Sequence, residues 1–298
     1  MKPTLYTVEK RELAALRDWL EMFLPDSFRL FSSVRETLQE RWLGKTFCTL
    51  GWPNILAAGE GETGHDSARY PYFSDPRTTS VFSPHPEQLE ELLLWPGYLD
   101  WSRPIDFQAV SKKLTHVIQK VARERGGSCR VEYYVMYDAC QADLPPRPVP
   151  EGFKLGTLDP DIHTEYIVST WPYRRKYTNL YVQDLLRRLP NVGLFDENGA
   201  CIGVELGNEY GAIGMLYVRE AYRRRGLGKI ITSQLAQKYF SDELPVTVFV
   251  SKGNESSRRM HTSCGFKEIG TVDWITYYTG DEEEFNKNMG YTATFYLQ

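Results

Sequence analysis

The sequence predicts an α/β (α+β) protein of two lobes, in which the C-terminal lobe carries a mixed, mainly antiparallel sheet with helices across it. The first observation is the proline-rich segment 143–152, where locked φ angles and missing N–H donors stop both helix and central strand. The second is a series of short apolar runs after residue 190, followed by alternating helix and strand patterns. We therefore predict two domains, residues 1–145 and residues 146–298.

The composition is that of a globular protein with a small net charge. The 298 residues are 42% hydrophobic and 25% charged, with a formal net charge of −4. Such a chain does not gather the phosphates of a nucleic-acid backbone, so nucleic acid is not an expected partner. The composition leaves the oligomeric state open, and a monomer is the simplest expectation.

The cysteine and histidine patterns argue against a metal site or a disulfide framework. The five cysteines form no C-x-x-C pair, and the five histidines show no ligand spacing. No apolar run approaches membrane-spanning length, and the first residues have the features of neither a signal peptide nor a typical transit peptide. We expect an intracellular protein, cytoplasmic or mitochondrial, with no metal, no membrane span and no tightly bound cofactor.

In the N-terminal lobe, the spacing of apolar residues predicts two helices and one strand. Apolar residues recur at helical spacing over 9–24, which Pro25 ends, and again over about 105–125. The segment 130–137 is rich in strand formers, and residues 60–90 contain enough glycine and proline to be interpreted as loops. No catalytic constellation is evident in this half of the sequence.

The C-terminal lobe begins with an antiparallel meander. The apolar runs 192–195 and 200–205 are joined by the hairpin turn 196–199, and the turn 207–211 leads into a strand at 212–218.

The pattern then changes to helix, strand and helix. A helical period begins at Gly226, and a strand follows at 246–251. Asn254 can cap a further helix that Gly265 closes, and extended structure resumes at 266–270.

The most informative segment joins the strand 212–218 to the following helix through Arg223-Arg-Arg-Gly-Leu-Gly228. Its glycines let the backbone approach a ligand, and the helix start presents unpaired N–H groups. This arrangement holds a diphosphate through backbone donors and the positive helix end, with the arginines adding charge. A nucleoside-triphosphate loop needs a glycine where Arg223 stands, and a dinucleotide fingerprint needs one where Ile231 stands, so both are disfavoured.

These elements resemble the GNAT acyltransferase superfamily, in which a central strand, an R/Q-x-x-G-x-G/A loop and a helix bind coenzyme A. A second signature of that superfamily, an asparagine, a helix and then Gly-Phe, is matched by Asn254 and Gly265-Phe266 after the next strand. The resemblance implies a GNAT fold for the C-terminal lobe and acyl-CoA as co-substrate. The coenzyme A contacts that it implies are Leu216, Tyr217, Val218, Arg223, Arg224, Arg225, Gly226, Leu227, Gly228, Lys229 and Asn254.

The sequence is also similar to the glycine N-acyltransferase family of animals. The strong matches to that family are Thr170-Trp171, the run 185–190 and the segment that leads into the Arg223–Gly228 loop. The matches at 23–31 and Trp52-Pro53 are loose. The resemblance implies transfer of an acyl group from a CoA thioester to the amine of glycine or a related small amino acid. It also implies a divergent GNAT-like N-terminal lobe without its own CoA loop.

An amino-acid acceptor needs a group that holds its carboxylate. A planar guanidinium suits that task, because two parallel hydrogen bonds fix the orientation of the carboxylate. Arg174 and Arg175 follow Trp171 in a segment that GNAT relatives usually place beside the acceptor pocket. We predict these three residues as substrate-binding, with solvated arginines at a helix start as the alternative.

Two positions depart from the family pattern. The GNAT tyrosine that often protonates the departing thiolate is replaced by His261, and the glutamate that glycine-conjugating relatives are thought to use as base is replaced by Ala212. We therefore rank His261 first and Glu209 second as the acid–base group, with Glu205 as another nearby carboxylate. The alternatives are a histidine packed under the loop, a turn glutamate and a solvent-facing glutamate.

Three functions fit these observations. The leading one is a small-molecule N-acyltransferase that conjugates an amino acid. A GNAT N-acetyltransferase acting on a peptide or amine would favour an acidic cleft instead. A non-catalytic acyl-CoA-binding sensor is encouraged by Ala212 and His261, and release of free thiol would separate both enzymes from the sensor.

Overall fold

The computed structural model describes residues 3–61, 69–74, 76–241 and 246–289. The first half of the chain contains strands β1 Leu5–Thr7, β2 Phe47–Leu50, β3 Ala57–Glu60, β4 Arg77–Thr79, β5 Val81–Phe82, β6 Ile105–Ser111 and β7 Ser128–Ala139. Its helices are α1 Leu13–Glu21, α2 Phe28–Leu38, α3 Pro86–Leu94 and α4 Thr115–Glu124.

The second half of the chain repeats this series of elements. Its strands are β8 Phe153–Gly156, β9 Asn191–Asp196, β10 Cys201–Gly207, β11 Ala212–Val218, β12 Val246–Ser251 and β13 Lys267–Tyr278. Its helices are α5 Pro160–Thr170, α6 Thr178–Arg188, α7 Leu227–Ser241, α8 Glu255–Cys264 and α9 Glu282–Asn288. Both halves run strand, two helices, strands, helix, strand, helix, strand, and the predicted α/β class is confirmed.

The chain forms two compact units. Of the described residues, the N-terminal unit contains those up to Tyr134 and those from Gly270 to Met289, and the C-terminal unit contains Val135–Ile269. The proline-rich segment 143–152 lies between β7 and β8 and carries no helix or strand. The division into 1–145 and 146–298 stays a prediction.

The N-terminal unit contains the antiparallel sheet β1-β2-β3-β5 and a second group of strands in which β6 lies between β4 and β13. β4 and β5 belong to one stretch of chain interrupted at Ser80. The start of this stretch pairs in parallel with β6, and its end pairs antiparallel with β3.

Two predictions for this unit are wrong in part. Residues 105–111 of the predicted second helix form β6, and the helix begins only at Thr115. Six of the seven β6 residues are buried, and a strand buried on both faces gives an apolar run that periodicity alone does not separate from a helix. Within the predicted loops at 60–90, the structure forms β4, β5 and the start of α3, while 62–68 and 75 lie outside the described residues.

The C-terminal unit has the strand order β12-β11-β10-β9-β8. The β11–β12 pair is parallel and the other pairs are antiparallel, which confirms the predicted mixed, mainly antiparallel sheet. The predicted hairpin of β9 and β10 and the predicted strands at β11 and β12 are also confirmed.

Helix α7 lies close to the sheet because two glycines of β10 face it. A Cβ at Gly203 would stand 2.7 Å from Ile231 Cδ1, and a Cβ at Gly207 would stand 1.9 Å from the Tyr239 hydroxyl oxygen. Larger residues would therefore push α7 away. This close contact fixes where the N-terminus of α7 stands beside β11.

Within the described residues, none of the helices combines the length and the hydropathy needed to cross a bilayer. The same residues contain no group of three or more histidine, cysteine or acidic side chains placed to hold a metal ion.

Candidate functional site

Strand β11 separates from its parallel neighbour before it ends. Its register with β12 ends at the pair Ile213–Val248, whereas its pairing with β10 continues to Val218. The register with β10 shifts in the same stretch, and Met215 there has φ +56°. A bulge of this kind bends a strand away from its partner. The separation therefore begins after Ile213, and it opens a gap between β11 and β12.

The connection from β11 to α7 leaves backbone donors exposed at a helix start. Residues 219–226 form this connection, which includes one 3-10 turn at Glu220–Tyr222. Among the described residues, no acceptor takes a hydrogen bond from the N–H groups of 224–228, whereas Lys229 N–H donates to Gly226 O at 3.1 Å. Unpaired N–H groups beside the positive end of a helix form an anion site.

The two glycines of this connection leave space in front of the helix. Gly226 has φ +77°, which L side chains rarely adopt, and a Cβ built there would meet nothing within 4 Å. A Cβ at Gly228 would meet only Leu216 Cδ2, at 3.8 Å. The space is therefore not filled by the protein and can receive a ligand that contacts backbone.

Two of the three loop arginines lie over tyrosine rings. The guanidinium of Arg223 is 5.4 Å from the ring centre of Tyr217, and that of Arg225 is 5.5 Å from the ring centre of Tyr222. Arg224 has φ +62°, is exposed, and its side chain makes no hydrogen bond to another described residue. Three cationic groups thus surround the exposed N–H groups, and two of them are already held in place.

Helix α8 contributes the second signature of the sequence. The side chain of Asn254 caps it by accepting a hydrogen bond from Ser257 N–H at 3.0 Å, as predicted.

His261 on the same helix is 4% exposed, and its Nδ1 lies 2.9 Å from Ser257 O. Because a carbonyl oxygen only accepts, the proton of the neutral ring is on Nδ1, and the buried Nε2 has a lone pair without a hydrogen-bond donor.

Burial lowers the pKa of His261 to about 4 and so keeps the imidazole neutral near pH 7. A neutral ring with its proton on Nδ1 can accept a proton at Nε2, but it has none to give there. The ring therefore cannot donate a proton from Nε2, and its lowered pKa makes it a weak proton acceptor. The catalytic role of His261 stays a prediction.

Glu205 lies in the core under α7, so the solvent-facing interpretation is wrong. It is 0% exposed, and neither carboxyl oxygen has a hydrogen-bond partner. Burial raises the pKa of Glu205 to about 8, and the nearby Thr232 hydroxyl only partly opposes this. A carboxylic acid that is neutral at pH 7 and faces α7 is not placed to attract an amine.

Glu209 is also buried, but on the other side of the sheet, where it meets α6. It is 1% exposed, and the Tyr181 hydroxyl donates to its Oε2 at 2.5 Å. A hydrogen bond from Tyr181 thus holds the Glu209 carboxylate just before β11. No local pattern in the sequence pointed to Tyr181, because a tyrosine on an amphipathic helix has no motif of its own.

The aromatic pair Tyr166 and Tyr217 was likewise not predicted as a unit. Their ring centres are 6.2 Å apart in an edge-to-face arrangement, and the Arg219 guanidinium lies 5.2 Å from the centre of the Tyr166 ring. Arg223 lies over Tyr217 in the same way, so two arginines and two tyrosine rings form one group of contacts beside the end of β11.

The predicted substrate-binding residues lie in the connection between α5 and α6. Trp171 stacks at a tilt on Tyr173 with ring centres 5.2 Å apart, and Arg174 Nη1 lies 3.4 Å from Ser169 O. The backbone N–H of Arg175 donates to Thr178 Oγ1 at 2.7 Å. These contacts place the segment before α6, and its role in acceptor binding stays a prediction.

Comparison with known proteins agrees with this architecture. Residues 191–275 match the family described as FR47-like protein. The human glycine N-acyltransferase-like protein 2 is 21% identical over 284 residues, which cover 86% of this chain and 92% of that protein. Human glycine N-acyltransferase is 21% identical over 271 residues, covering 83% of this chain and 90% of that protein.

A solved Drosophila structure superposes with a TM-score of 0.79 at 18% identity, covering 94% of this chain and 100% of that one. The resemblance to the glycine N-acyltransferase family and the GNAT superfamily is confirmed. A tandem GNAT protein from the clavulanic acid biosynthesis pathway superposes with a TM-score of 0.51 at 12% identity, covering 94% of this chain and 100% of that one, which supports the fold of two GNAT-like lobes. These similarities support an acyltransferase of the GNAT type.

Proposed function

We propose that this chain is an acyl-CoA-dependent N-acyltransferase that transfers an acyl group from a CoA thioester to the amine of glycine or a similar small amino acid. The observation that carries the proposal is the connection from β11 to α7. It presents unpaired N–H groups, a helix start and three arginines beside a gap in the sheet.

Each part of this connection has a role in binding acyl-CoA. The N–H groups of 224–228 receive the diphosphate, and Arg223, Arg224 and Arg225 neutralise phosphate charge. The pantetheine arm then extends along β11 at 216–218, with its thioester at the gap between β11 and β12. Lys229 and Asn254, at the starts of α7 and α8, complete the predicted contacts.

The chemistry requires little from the protein, because the thioester is already activated. The amine nitrogen, once it has lost the extra proton of its ammonium form, attacks the thioester carbonyl carbon and a C–N bond forms. Backbone N–H groups at the bulged part of β11 stabilise the oxyanion. The C–S bond then breaks, and the coenzyme leaves as a thiolate that takes up a proton.

The ammonium proton needs an acceptor on the side from which the acceptor amine enters. We place Glu209 first for this role, because its carboxylate is buried and held by Tyr181 just before β11. His261 is the other predicted group, and it ranks second because burial lowers its pKa to about 4 and so makes its Nε2 a weak base.

The acceptor's carboxylate is the feature that separates an amino acid from a simple amine. Trp171, Arg174 and Arg175 stay the residues predicted to bind it. A peptide or amine acceptor would not use the positive charge of these arginines. Comparing the rates with glycine and with glycinamide therefore distinguishes the two kinds of acceptor.

The test is a thiol-release screen of acetyl-, benzoyl- and oleoyl-CoA against the common amino acids and glycinamide, with the amide product identified by mass spectrometry. Thiol release that requires glycine or another small amino acid supports the proposal. Equal rates with glycine and glycinamide favour a GNAT N-acetyltransferase of amines or peptides. Binding of acyl-CoA without thiol release from any pair identifies a sensor and contradicts the proposal.

A further inference from the structure

The two faces of the C-terminal sheet can be told apart from their contacts. Ile213 on β11 and Val246, Val248 and Val250 on β12 belong to the core cluster that includes residues of α7. Since side chains alternate along a strand, Ala212, Gly214 and Thr247 point to the opposite face. Tyr181 of α6 reaches Glu209 on that side, and we call it the α6 face.

Thr247 carries a buried hydroxyl without a partner on the α6 face. The residue is 1% exposed, and its Oγ1 makes no hydrogen bond with the described residues. Thr247 stands opposite Ala212, just before β11 and β12 separate. A buried hydroxyl left unpaired costs about 1–3 kcal/mol, and a ligand that accepts its hydrogen bond would offset that cost.

Asn208 supplies a second polar group on the same face. It is 6% exposed, and its Nδ2 lies 3.0 Å from the position that a Cβ on Gly214 would occupy. Its side-chain amide makes no hydrogen bond within the described part of the chain. The amide therefore points into space that Gly214 leaves open, beside the small side chain of Ala212.

These groups match the charges of a small zwitterion. Glu209 offers a buried carboxylate, whereas Asn208 and Thr247 offer neutral hydrogen-bond donors. A carboxylate attracts an ammonium group, and an amide N–H and a hydroxyl can both donate to a carboxylate. Thr247 lies just before the point at which β11 and β12 stop pairing, and Asn208 and Glu209 lie in the turn that precedes β11.

We propose that this α6-face cluster binds the acceptor as an α-amino acid zwitterion, with the ammonium at Glu209 and the carboxylate at Asn208 and Thr247. The inference rests on the proposed function and names the residues that select its acceptor. It is compatible with an arginine of the α5–α6 connection, since a carboxylate has lone pairs for several donors. Asn208 and Thr247 are specificity residues, because they contact the part of the acceptor that does not react.

The experiment compares steady-state constants for glycine and for methylamine, which lacks the carboxylate. Thr247→Val and Asn208→Ala should each raise the KM for glycine about tenfold, since each removes one hydrogen bond to a charged group. The KM for acyl-CoA and for methylamine should stay within about twofold, so the preference for glycine narrows. Thr247→Ser keeps the hydroxyl and should restore the wild-type KM for glycine.

Thr232→Val is the matched control. Thr232 also carries a fully buried hydroxyl, but it lies on α7, which covers the other face of the sheet. It should leave the glycine KM unchanged. An unchanged glycine KM in Thr247→Val and Asn208→Ala, with normal wild-type thiol release, overturns the zwitterion site alone. Absence of thiol release by the wild type with any amino acid contradicts the acyl transfer itself and, with it, this site.

Discussion

The two halves of the chain contain the same series of elements, yet only the second half joins its central strand to the next helix by an open, glycine-containing connection. In the C-terminal half, residues 219–226 separate β11 from α7. In the N-terminal half, residues 83–85 are all that separate β5 from α3. The difference shows which structural details of a shared fold make an anion site.

In the N-terminal connection, two backbone donors are absent and a third is occupied. Pro84 and Pro86 have no N–H, and the N–H of His85 donates to Ser83 Oγ at 3.2 Å. Glu87 adds a negative charge in the first turn of α3. A diphosphate would find few donors and one repelling charge there.

The buried carboxylates of the two halves differ as well. Glu60 on β3 lies 2.9 Å from Lys45 Nζ and 3.5 Å from Arg29 Nη1, and all three side chains are buried. Two internal cations thus surround the carboxylate in the N-terminal unit. In the C-terminal unit, Glu209 contacts the Tyr181 hydroxyl. The contacts named here differ in kind, since two cations hold Glu60 whereas a hydroxyl group donates to Glu209.

The largest expected effect concerns proton transfer in the C-terminal half. Glu209→Gln should lower kcat by about 10²- to 10⁴-fold and leave the KM for acyl-CoA nearly unchanged, since it removes the base and keeps the shape. Steady-state thiol release measures both constants. His261→Ala is measured in parallel, and normal turnover in both variants would mean that solvent takes the proton.

Substituting the second residue of α7 and, as a control, the second residue of α3 tests whether coenzyme A binds at the connection between β11 and α7. Gly228→Val should lower the affinity for coenzyme A by more than about 100-fold, because the side chain would stand where the diphosphate meets N–H groups. The fold has room for it, since the nearest atom to the new Cβ is 3.8 Å away. Glu87→Val, at the second residue of α3, is the control and should bind as the wild type does. Equal affinity of both folded variants in calorimetry would sink the assignment of this loop.

The loop arginines should contribute a smaller part of the affinity. Replacing Arg223 and Arg225 together with alanine should weaken coenzyme A binding by about 1–3 kcal/mol, which is about 5- to 150-fold. Both side chains are held over tyrosine rings, so they lose little freedom when phosphate binds. Arg224→Ala should have a lesser effect, and three equal effects would instead indicate a general basic patch.

The smallest expected effect is a pH dependence of stability from Glu205. Its pKa is raised in the folded state, so its contribution to stability is complete below the unfolded pKa and is lost as pH rises towards about 8. Between pH 6 and pH 7, the wild type should lose about 1.4 kcal/mol of unfolding free energy that Glu205→Gln does not lose. Denaturant titrations at the two pH values measure the difference, and parallel curves for the two proteins would contradict it.

The C-terminal elements could be predicted from sequence because local signals agree there. The turn at 196–199, the period change at Gly226 and the cap at Asn254 each act over a few residues, and the structure has all three. In the N-terminal unit, β6 is surrounded by strands that are distant in sequence, so its apolar run looked like part of a helix. Partners distant in the chain leave no local signal.

The candidate site was predictable only in its backbone part. Glycine spacing revealed the connection at 223–228, because a backbone that meets a ligand constrains sequence directly. The pairing of Tyr181 with Glu209 and the burial of Glu205 depend on how α6 and α7 cover the sheet. Only the three-dimensional arrangement reveals such contacts, and they decide which carboxylate can serve as a base.

Amide hydrogen exchange of the whole chain, with and without coenzyme A, tests most directly whether residues 224–228 bind the coenzyme. We expect coenzyme A to slow exchange at residues 224–228, whose N–H groups have no acceptor among the described residues, and to leave exchange at residues 83–89 unchanged. Slower exchange at 83–89, or no change at 224–228 when the chain is saturated with coenzyme A, would contradict the claim that the C-terminal connection is the acyl-CoA site.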